Sequence, residues 1–115
     1  YKSEYEQVVL NLLSNAKDAI LASGKHGGKI TISLESDENV VRLIIQDNGG
    51  GIKIEPIEKI FEPYVSSKEQ NEGTGIGLYM SKLIIENQFH GIINAKNTDN
   101  GAQFSILLPS ACDNI

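Results

Sequence analysis

The spacing of apolar residues changes between a helical and a strand period along the chain, and the order of these segments limits the fold more than any other feature. The segments follow in the order helix (3–22), strand (29–36), strand (40–46), helix (76–88), strand (91–97) and strand (101–109). Strands joined by a short turn pair antiparallel, whereas a doubly wound parallel sheet needs a helix between successive strands. We therefore expect an α/β (α+β) two-layer sandwich, in which a mixed, mostly antiparallel sheet is covered on one face by helices.

Local signals mark the turns and one strand face. Ile30, Ile32 and Leu34 alternate with polar residues, so the first strand should be half-buried. The sequence Asp99–Asn100–Gly101 predicts a tight hairpin turn between the last two strands. Residues 55–61 predict a short helical turn with a proline near its start.

Composition and length limit the partners and the location of the chain. We expect its 115 residues to form one domain, residues 1–115, and its net charge of -5 argues against a broad electrostatic grip on nucleic acid. Cys112 is the single cysteine, which fits a reducing compartment. No run is apolar enough to span a membrane, so we expect no direct membrane contact. The chain begins at Tyr1 without a methionine and is helix-like almost at once, so we expect a fragment of a longer protein. We expect the fragment to be cytoplasmic. The sequence does not decide between a soluble parent and one anchored in the inner membrane.

Three glycines fall within the five residues Gly73–Gly77, directly before the second helical segment. A helix N-terminus exposes unpaired N–H groups and a partial positive charge, and glycines before it let an anion reach the bare backbone. The segment therefore indicates a phosphate cradle, with a glycine-rich connector as the alternative. It differs from a P-loop, because Leu78 and Tyr79 follow where lysine and Ser or Thr are needed. It differs from a dinucleotide fingerprint, because a polar loop precedes it instead of a strand.

An aspartate followed by glycines ends the second strand, in the sequence QDNGGGI. A carboxylate only accepts hydrogen bonds, so Asp47 suits an amino group such as the exocyclic amine of adenine. Gly49 and Gly51 would let a flat ring lie close to the backbone. The alternative is a local turn in which Asp47 accepts hydrogen bonds from its own loop.

Asn11, Asn15 and Asp18 form one stripe at helical spacing on the first helix, roughly opposite an apolar side that includes Val9 and Ala16. The stripe fits a solvated helix face, but asparagine is a poorer helix former than the residues usual there. Amide oxygens are hard, neutral ligands that suit Mg²⁺, which also keeps waters and substrate phosphates. The stripe therefore favours a metal site.

Taken together and in this order, the motifs resemble those of sensor histidine kinases. The matching segments are NLLSNAKDAI (11–20), DNGGGI (47–52), IFEPYVSSK (60–68), GTGIGLYMSKLI (73–84) and GAQFSILLP (101–109). They are similar to the N box, G1 box, F box, G2 box and closing strand of that family. The resemblance implies the Bergerat ATP-binding fold, shared with type II topoisomerases, Hsp90-type chaperones and mismatch-repair ATPases. The variant NAKDAI is similar to the subgroup allied to nitrogen-regulation sensors.

The resemblance implies roles for the first two boxes. Asn15 would be the principal Mg²⁺ ligand, with Asn11 near the metal or the phosphates. Asp47 would recognise adenine. The residues beside the adenine ring would be Gly49, Gly51 and Ile52. Many family members carry lysine or arginine three residues after the second asparagine, where this chain has Asp18, so the resemblance does not identify every cation that meets the triphosphate.

The resemblance also implies roles around the phosphates. Phe61 would anchor an ATP lid formed by residues 62–74. The residues that surround the phosphates would be Gly73, Thr74, Gly75, Gly77 and Leu78. Lys68 in the lid would pair with phosphate and act in catalysis together with Asn11 and Asn15, with a solvated loop lysine as the alternative.

A domain of this kind would bind ATP and Mg²⁺ and transfer the γ-phosphoryl group to a histidine. That histidine would lie on a separate dimerisation domain of the same parent, and a response regulator would be an indirect partner. His26 lies in a glycine-rich turn and His90 precedes a glycine, so neither has the context of a phosphoacceptor. We expect both to be surface histidines.

Other functions stay open at this point. A clamp-type ATPase of the same fold would carry a glutamate four residues before Asn15 to activate water, and here Asn11, a poor general base, holds that place. A serine kinase of the anti-sigma-factor type is a second rival. The third is a degenerate nucleotide-binding or docking module, against which the intact Asn15, Asp47 and glycine segments argue.

Overall fold

The structure, a computed structural model, describes residues 2–24, 26–53, 55–62 and 77–109. Its elements are α1 (Lys2–Ser23), β1 (Ile30–Ser36), β2 (Val40–Asp47), a 3₁₀ helix (Ile57–Phe61), α2 (Gly77–Gln88), β3 (Ile92–Asn97) and β4 (Ala102–Pro109). The predicted order of helices and strands is confirmed. Residues 63–76 lie outside the described residues. They contain all of the predicted lid except Glu62, and all of the glycine segment except Gly77.

The strands form one sheet in the order β1-β2-β4-β3, and each described pairing is antiparallel. The predicted two-layer fold and both predicted hairpins are therefore confirmed. Because β4 pairs with β2, Gln46 near the end of β2 lies opposite Gln103 near the start of β4. The end of β2 and the turn between β3 and β4 consequently lie at the same end of the sheet.

The core lies between one face of the sheet and the two long helices. Its fully buried side chains are Val8, Leu12, Ile45, Ile85 and Ile106. They come from α1, β2, α2 and β4, so burial joins both helices to the two central strands. Full burial of a side chain of this size contributes roughly 1.5–3 kcal/mol. Neither long helix in the described part of the chain has the length and apolarity needed to cross a membrane.

The first strand differs from the sequence prediction in its burial. Register places Ile32 opposite the buried Ile45, so the apolar residues of β1 face the helical side of the sheet. Nevertheless, Ile32 is 55% and Leu34 is 68% exposed. The expectation of a half-buried strand is wrong because β1 is an edge strand and α1 packs mainly over β2, with little of it reaching β1.

Candidate functional site

Asp47 lies at the end of β2 and is only 3% exposed. Its Oδ1 atom accepts a hydrogen bond of 2.8 Å from the backbone N–H of Gly49. The local turn considered as an alternative is therefore present in the structure. A carboxylate has two oxygens and accepts several hydrogen bonds, so a turn of this kind is compatible with binding an amino group.

The 47–52 loop lies directly on the backbone of α1. A Cβ atom at Gly49 would lie 2.7 Å from the backbone nitrogen of Ile20 and 2.8 Å from the carbonyl carbon of Ala19. Only glycine allows the backbone to approach α1 this closely. The side of Gly49 that would carry a Cβ atom therefore faces the helix, and not an open space in which a ring could lie. Gly51 has a φ of 92°, a left-handed conformation that glycine adopts readily.

The 47–52 loop is also held by the turn between β3 and β4. Asn97 Oδ1 accepts a hydrogen bond of 2.6 Å from Ile52 N–H, and Asn97 Nδ2 donates one of 3.1 Å to the Ile52 carbonyl. Gly50 N–H donates to the Asn100 carbonyl at 3.4 Å. A Cβ atom at Gly101 would overlap the Asp47 carbonyl oxygen. The 47–52 loop is therefore held by the β3–β4 turn as well as by α1.

Asn97 and Gly101 are residues that the sequence analysis did not assign to the site. The sequence does signal a hairpin turn at residues 99–101, which accounts locally for Gly101, whereas Asn97 is the last residue of the strand before that turn. Their second contact, with the 47–52 loop, depends on strand order and has no local signature.

The start of α2 packs against Asn11 of α1. Asn11 Nδ2 donates a hydrogen bond of 3.0 Å to Ser81 Oγ. A Cβ atom at Gly77, the first described residue of α2, would lie 2.7 Å from Asn11 Oδ1. The same Cβ atom would lie 3.0 Å from Asn11 Nδ2, so a side chain at position 77 would displace the Asn11 amide. Ser81 is a further residue that the sequence analysis missed.

The asparagine stripe borders the core and does not lie opposite to it. Asn11 and Asn15 are half-buried, and the buried residues Leu12 and Ala16 follow each of them directly. The predicted position opposite the apolar side is therefore wrong. The reason is that α2 packs along this side of α1 and carries the helical layer across it.

The site is organised along α1. The start of α2 meets the helix at Asn11, and the 47–52 loop meets it at Ala19. At 1.5 Å of rise per residue, these two contacts are about 12 Å apart along the axis. Asn15 lies between them, one turn from each and on the same face as Asn11.

The remaining predicted residues fall into four groups. Phe61 is buried, with its ring edge-on to Phe104 at a centroid distance of 6.3 Å. Ile52 and Leu78 are half-buried and pack against the core. The predicted residues outside the described part of the chain are Lys68, Gly73, Thr74 and Gly75. His26 and His90 are exposed, as predicted.

The donor set along α1 fits a hard cation held together with a phosphorylated ligand. Asn11 and Asn15 supply neutral amide oxygens, which suit Mg²⁺. Within the described residues, no group of three or more His, Cys, Asp or Glu side chains is placed to hold a metal ion. An ion at these amides would keep coordination positions for phosphate oxygens and water.

Comparisons with known proteins agree with the geometry. The family model described as histidine kinase-, DNA gyrase B-, and HSP90-like ATPase matches residues 2–111. The two-component sensor PprA of Pseudomonas aeruginosa is 38% identical in an alignment 111 residues long that covers 94% of this chain. The chain spans 12% of the length of PprA.

Solved structures show the same fold. The catalytic domain of the histidine kinase ThkA superposes with a TM-score of 0.81 at 34% identity, over 95% of this chain and 69% of that one. A crystal structure of ThkA in complex with the response regulator protein TrrA gives a TM-score of 0.72 at 32% identity, over 96% of this chain and 30% of that one.

Proposed function

Because the chain belongs to the histidine kinase-, DNA gyrase B-, and HSP90-like ATPase family, we propose that it is the ATP-binding catalytic domain of a sensor histidine kinase. It binds ATP with Mg²⁺ and transfers the γ-phosphoryl group to a histidine on a separate dimerisation domain of its parent protein. The transfer forms a bond between an imidazole nitrogen and the γ-phosphorus, breaks the bond from that phosphorus to the bridging oxygen, and releases ADP.

The observation that carries this proposal is the arrangement of two backbone elements along α1. The 47–52 loop, with the buried Asp47 carboxylate, lies against one turn of the helix. The start of α2, where backbone N–H groups are unpaired, lies against another turn about 12 Å away. This spacing suits a ligand with a hydrogen-bonding base at one end and phosphates at the other.

Four of the predicted residues have roles towards the ligand. Asp47 accepts a hydrogen bond from the adenine amino group, and Asn15 and Asn11 hold Mg²⁺. The phosphates lie against the start of α2, and Lys68 pairs with them from the lid. Mg²⁺, when bound, neutralises charge on the phosphate oxygens. Besides positioning of the reactants, this neutralisation is the main requirement for catalysis of phosphoryl transfer.

The contacts of Asn11 favour a kinase over an ATP-hydrolysing clamp. A hydrolase needs a general base to activate water, and a neutral amide is a poor one. The amino group of Asn11 is bound to Ser81, so this side chain belongs to the helix interface. His26 and His90 lie outside the helices of the described residues, so neither has the helical context that the resemblance implies for a phosphoacceptor, which favours a phosphoacceptor on another domain.

The structure of a related protein indicates the class of signalling partner. ThkA has been crystallised with the response regulator protein TrrA. We extend this to the parent of the present chain, whose phosphohistidine would pass its phosphoryl group to a response regulator.

Replacing Asp47 tests the adenine role. Loss of a hydrogen bond to a charged group costs about 1.5–3 kcal/mol, so Asp47→Ala should weaken ADP binding roughly tenfold to a hundredfold. Asp47→Asn keeps an acceptor and should weaken it less. Isothermal titration measures both, and Asp37→Ala, which removes a carboxylate from the opposite end of the sheet, is the matched control. Unchanged ADP affinity in Asp47→Ala would remove Asp47 from the adenine role.

The destination of the phosphoryl group tests the reaction. Incubated alone with γ-labelled ATP, the chain should stay unlabelled and release phosphate slowly. Addition of the dimerisation domain of the same parent should yield an acid-labile, base-stable phosphohistidine on that domain. Label on His26 or His90, or rapid hydrolysis by the chain alone, would overturn the kinase proposal in favour of an ATPase.

A further inference from the structure

Asn48 follows Asp47 and joins the 47–52 loop to the segment that precedes β1. Its Oδ1 atom accepts a hydrogen bond of 2.8 Å from the backbone N–H of Lys29, and its Nδ2 atom donates one of 3.3 Å to the carbonyl of Gly27. A backbone N–H only donates and a carbonyl only accepts, so these two partners allow a single orientation of the amide. The Asn48 side chain is therefore fixed at both ends.

The Asn48 amide continues the pairing of β1 with β2 beyond its last residue pair. That pair is Ile30 with Asp47. One position further along, the side chain of Asn48 takes the place of a backbone strand, because it accepts from Lys29 and donates to a carbonyl of the same segment. The end of a strand pairing opens more easily than its middle. Asp47 is thus held by the strand pairing on one side and by the Asn48 amide on the other.

Both backbones that the Asn48 amide joins lie on Ile20 of α1. A Cβ atom at Gly28 would overlap the Ile20 side chain, and a Cβ atom at Gly49 would lie 2.7 Å from the Ile20 backbone nitrogen. The two segments are therefore seated on the same turn of the helix. This packing does not use the amide, so loss of the amide should release the link between the segments and leave both of them on α1.

The preference of the proposed site between bases depends on the position of the Asp47 carboxylate. A carboxylate accepts hydrogen bonds and cannot donate them, so it favours a base with an amino group over one with a carbonyl oxygen in the same place. Inosine diphosphate (IDP) carries that oxygen where ADP carries the amino group. Because a hydrogen bond weakens steeply as its geometry departs from the ideal, the preference for ADP requires a carboxylate that is held in place.

We propose that Asn48 is a positioning residue that sets the base specificity of the site, because its amide holds the Asp47 carboxylate where it meets the amino group of the base. The inference rests on the proposed function, since it assigns a role within the same nucleotide site. The Asn48 amide is bound to protein backbone at both of its ends. Asn48 therefore acts on the base through Asp47.

The test compares the affinities for ADP and IDP in the 115-residue chain and its variants by isothermal titration. The unsubstituted chain should bind ADP more tightly than IDP. Asn48→Ala should reduce this preference about threefold to tenfold, through weaker binding of ADP with little change in the affinity for IDP. The matched control is Asn39→Ala, which removes an exposed amide from the turn at the other end of the same two strands, and it should change neither affinity.

A double-mutant cycle separates positioning from a general structural role. Because Asn48 acts through Asp47, Asn48→Ala should leave the preference between ADP and IDP unchanged in an Asp47→Ala background. Hydrogen exchange of the Lys29 amide without nucleotide reports the link itself and should accelerate in Asn48→Ala. Circular dichroism checks that the variant is folded. Asn48→Ser, whose hydroxyl is too short to span both backbones, is a second variant and should lower the preference in the same direction.

Three results would overturn the role of Asn48 alone. Equal losses of affinity for ADP and IDP in Asn48→Ala would make Asn48 structural. A further loss of preference when Asn48→Ala is added to Asp47→Ala would show that Asn48 does not act through Asp47. If the unsubstituted chain prefers ADP and both Asn48 variants keep that preference, the inference fails while the proposed function stands. Failure of the unsubstituted chain to bind ADP would instead overturn the proposed function and, with it, the role of Asn48.

Discussion

The two hairpins of the sheet are built alike, but only the second one ends in the candidate site. The β1–β2 turn is closed by its own residues, since Asp37 Oδ1 accepts hydrogen bonds of 2.7 Å from Asn39 N–H and 2.9 Å from Val40 N–H. The β3–β4 turn is also closed locally, by a hydrogen bond of 2.8 Å from Thr98 N–H to the Gly101 carbonyl. In addition, it holds the 47–52 loop from outside.

Strand order explains the difference. Because β4 pairs with β2 in antiparallel register, the β3–β4 turn lies beside the end of β2, where Asp47 is. The β1–β2 turn lies at the other end of the same strands. A turn therefore belongs to the site through its position in the sheet, and its own sequence does not reveal this. The following substitutions test the comparison.

The largest effect is expected for Gly101→Ala. The new Cβ atom would overlap the Asp47 carbonyl oxygen and lie 2.9 Å from Asn48 Cα, and both are backbone atoms that cannot rotate away. Overpacking of this kind costs about 1–3 kcal/mol in the free energy of unfolding. We expect that loss in urea denaturation, together with at least a tenfold weaker ADP affinity, because the loop that carries Asp47 must move.

A surface substitution in the first hairpin turn is the control for Gly101→Ala. Glu38 is exposed at that turn, and Glu38→Ala should change the free energy of unfolding by less than about 0.5 kcal/mol. A Gly101→Ala variant as stable and as tight in ADP binding as the unsubstituted chain would contradict the difference between the turns.

An intermediate effect is expected for Asn97→Ala. It removes the two hydrogen bonds that clamp the backbone of Ile52, each worth about 0.5–1.5 kcal/mol net. The 47–52 loop should become looser, and ADP affinity should fall about threefold to tenfold in isothermal titration. Asn94→Ala, an exposed asparagine on the same strand, is the matched control. If both variants bind ADP equally well, the clamp plays no part in nucleotide binding.

The smallest effect is expected for Asp37→Asn. The backbone N–H groups of Val40 and Asn39 lower the pKa of the Asp37 carboxyl in the folded chain. A lowered pKa means that the charged carboxylate stabilises the fold above its unfolded pKa of about 3.9, and that this contribution is lost as the pH falls through the folded pKa. Asp37→Asn should therefore be slightly less stable than the unsubstituted chain at pH 7, and the difference should shrink below about pH 4.

Thermal unfolding monitored by circular dichroism across pH measures this difference. ADP affinity at pH 7 should be the same in Asp37→Asn and in the unsubstituted chain, because the first turn is remote from Asp47. A drop in affinity there would mean that the two turns are coupled through the sheet.

Periodicity predicted the elements well and their burial less well. The first helix, expected over residues 3–22, spans Lys2–Ser23, because helical spacing reports directly on a helix. The alternation of Ile32 and Leu34 correctly predicted a strand, but both side chains are exposed. A period of two shows that one face is apolar, and it contains no information about which helix covers that face.

The sequence by itself determined the residue types and their spacing: asparagines one turn apart on a helix, an aspartate at a strand end, and glycines where the backbone must approach closely. Tertiary structure alone decided their partners. Asn11 meets Ser81 across 70 positions, and Ile52 meets Asn97 across 45. These pairs exist because α2 packs on α1 and β4 inserts between β2 and β3. Such contacts depend on the path of the whole chain, and no local pattern of side chains encodes that path.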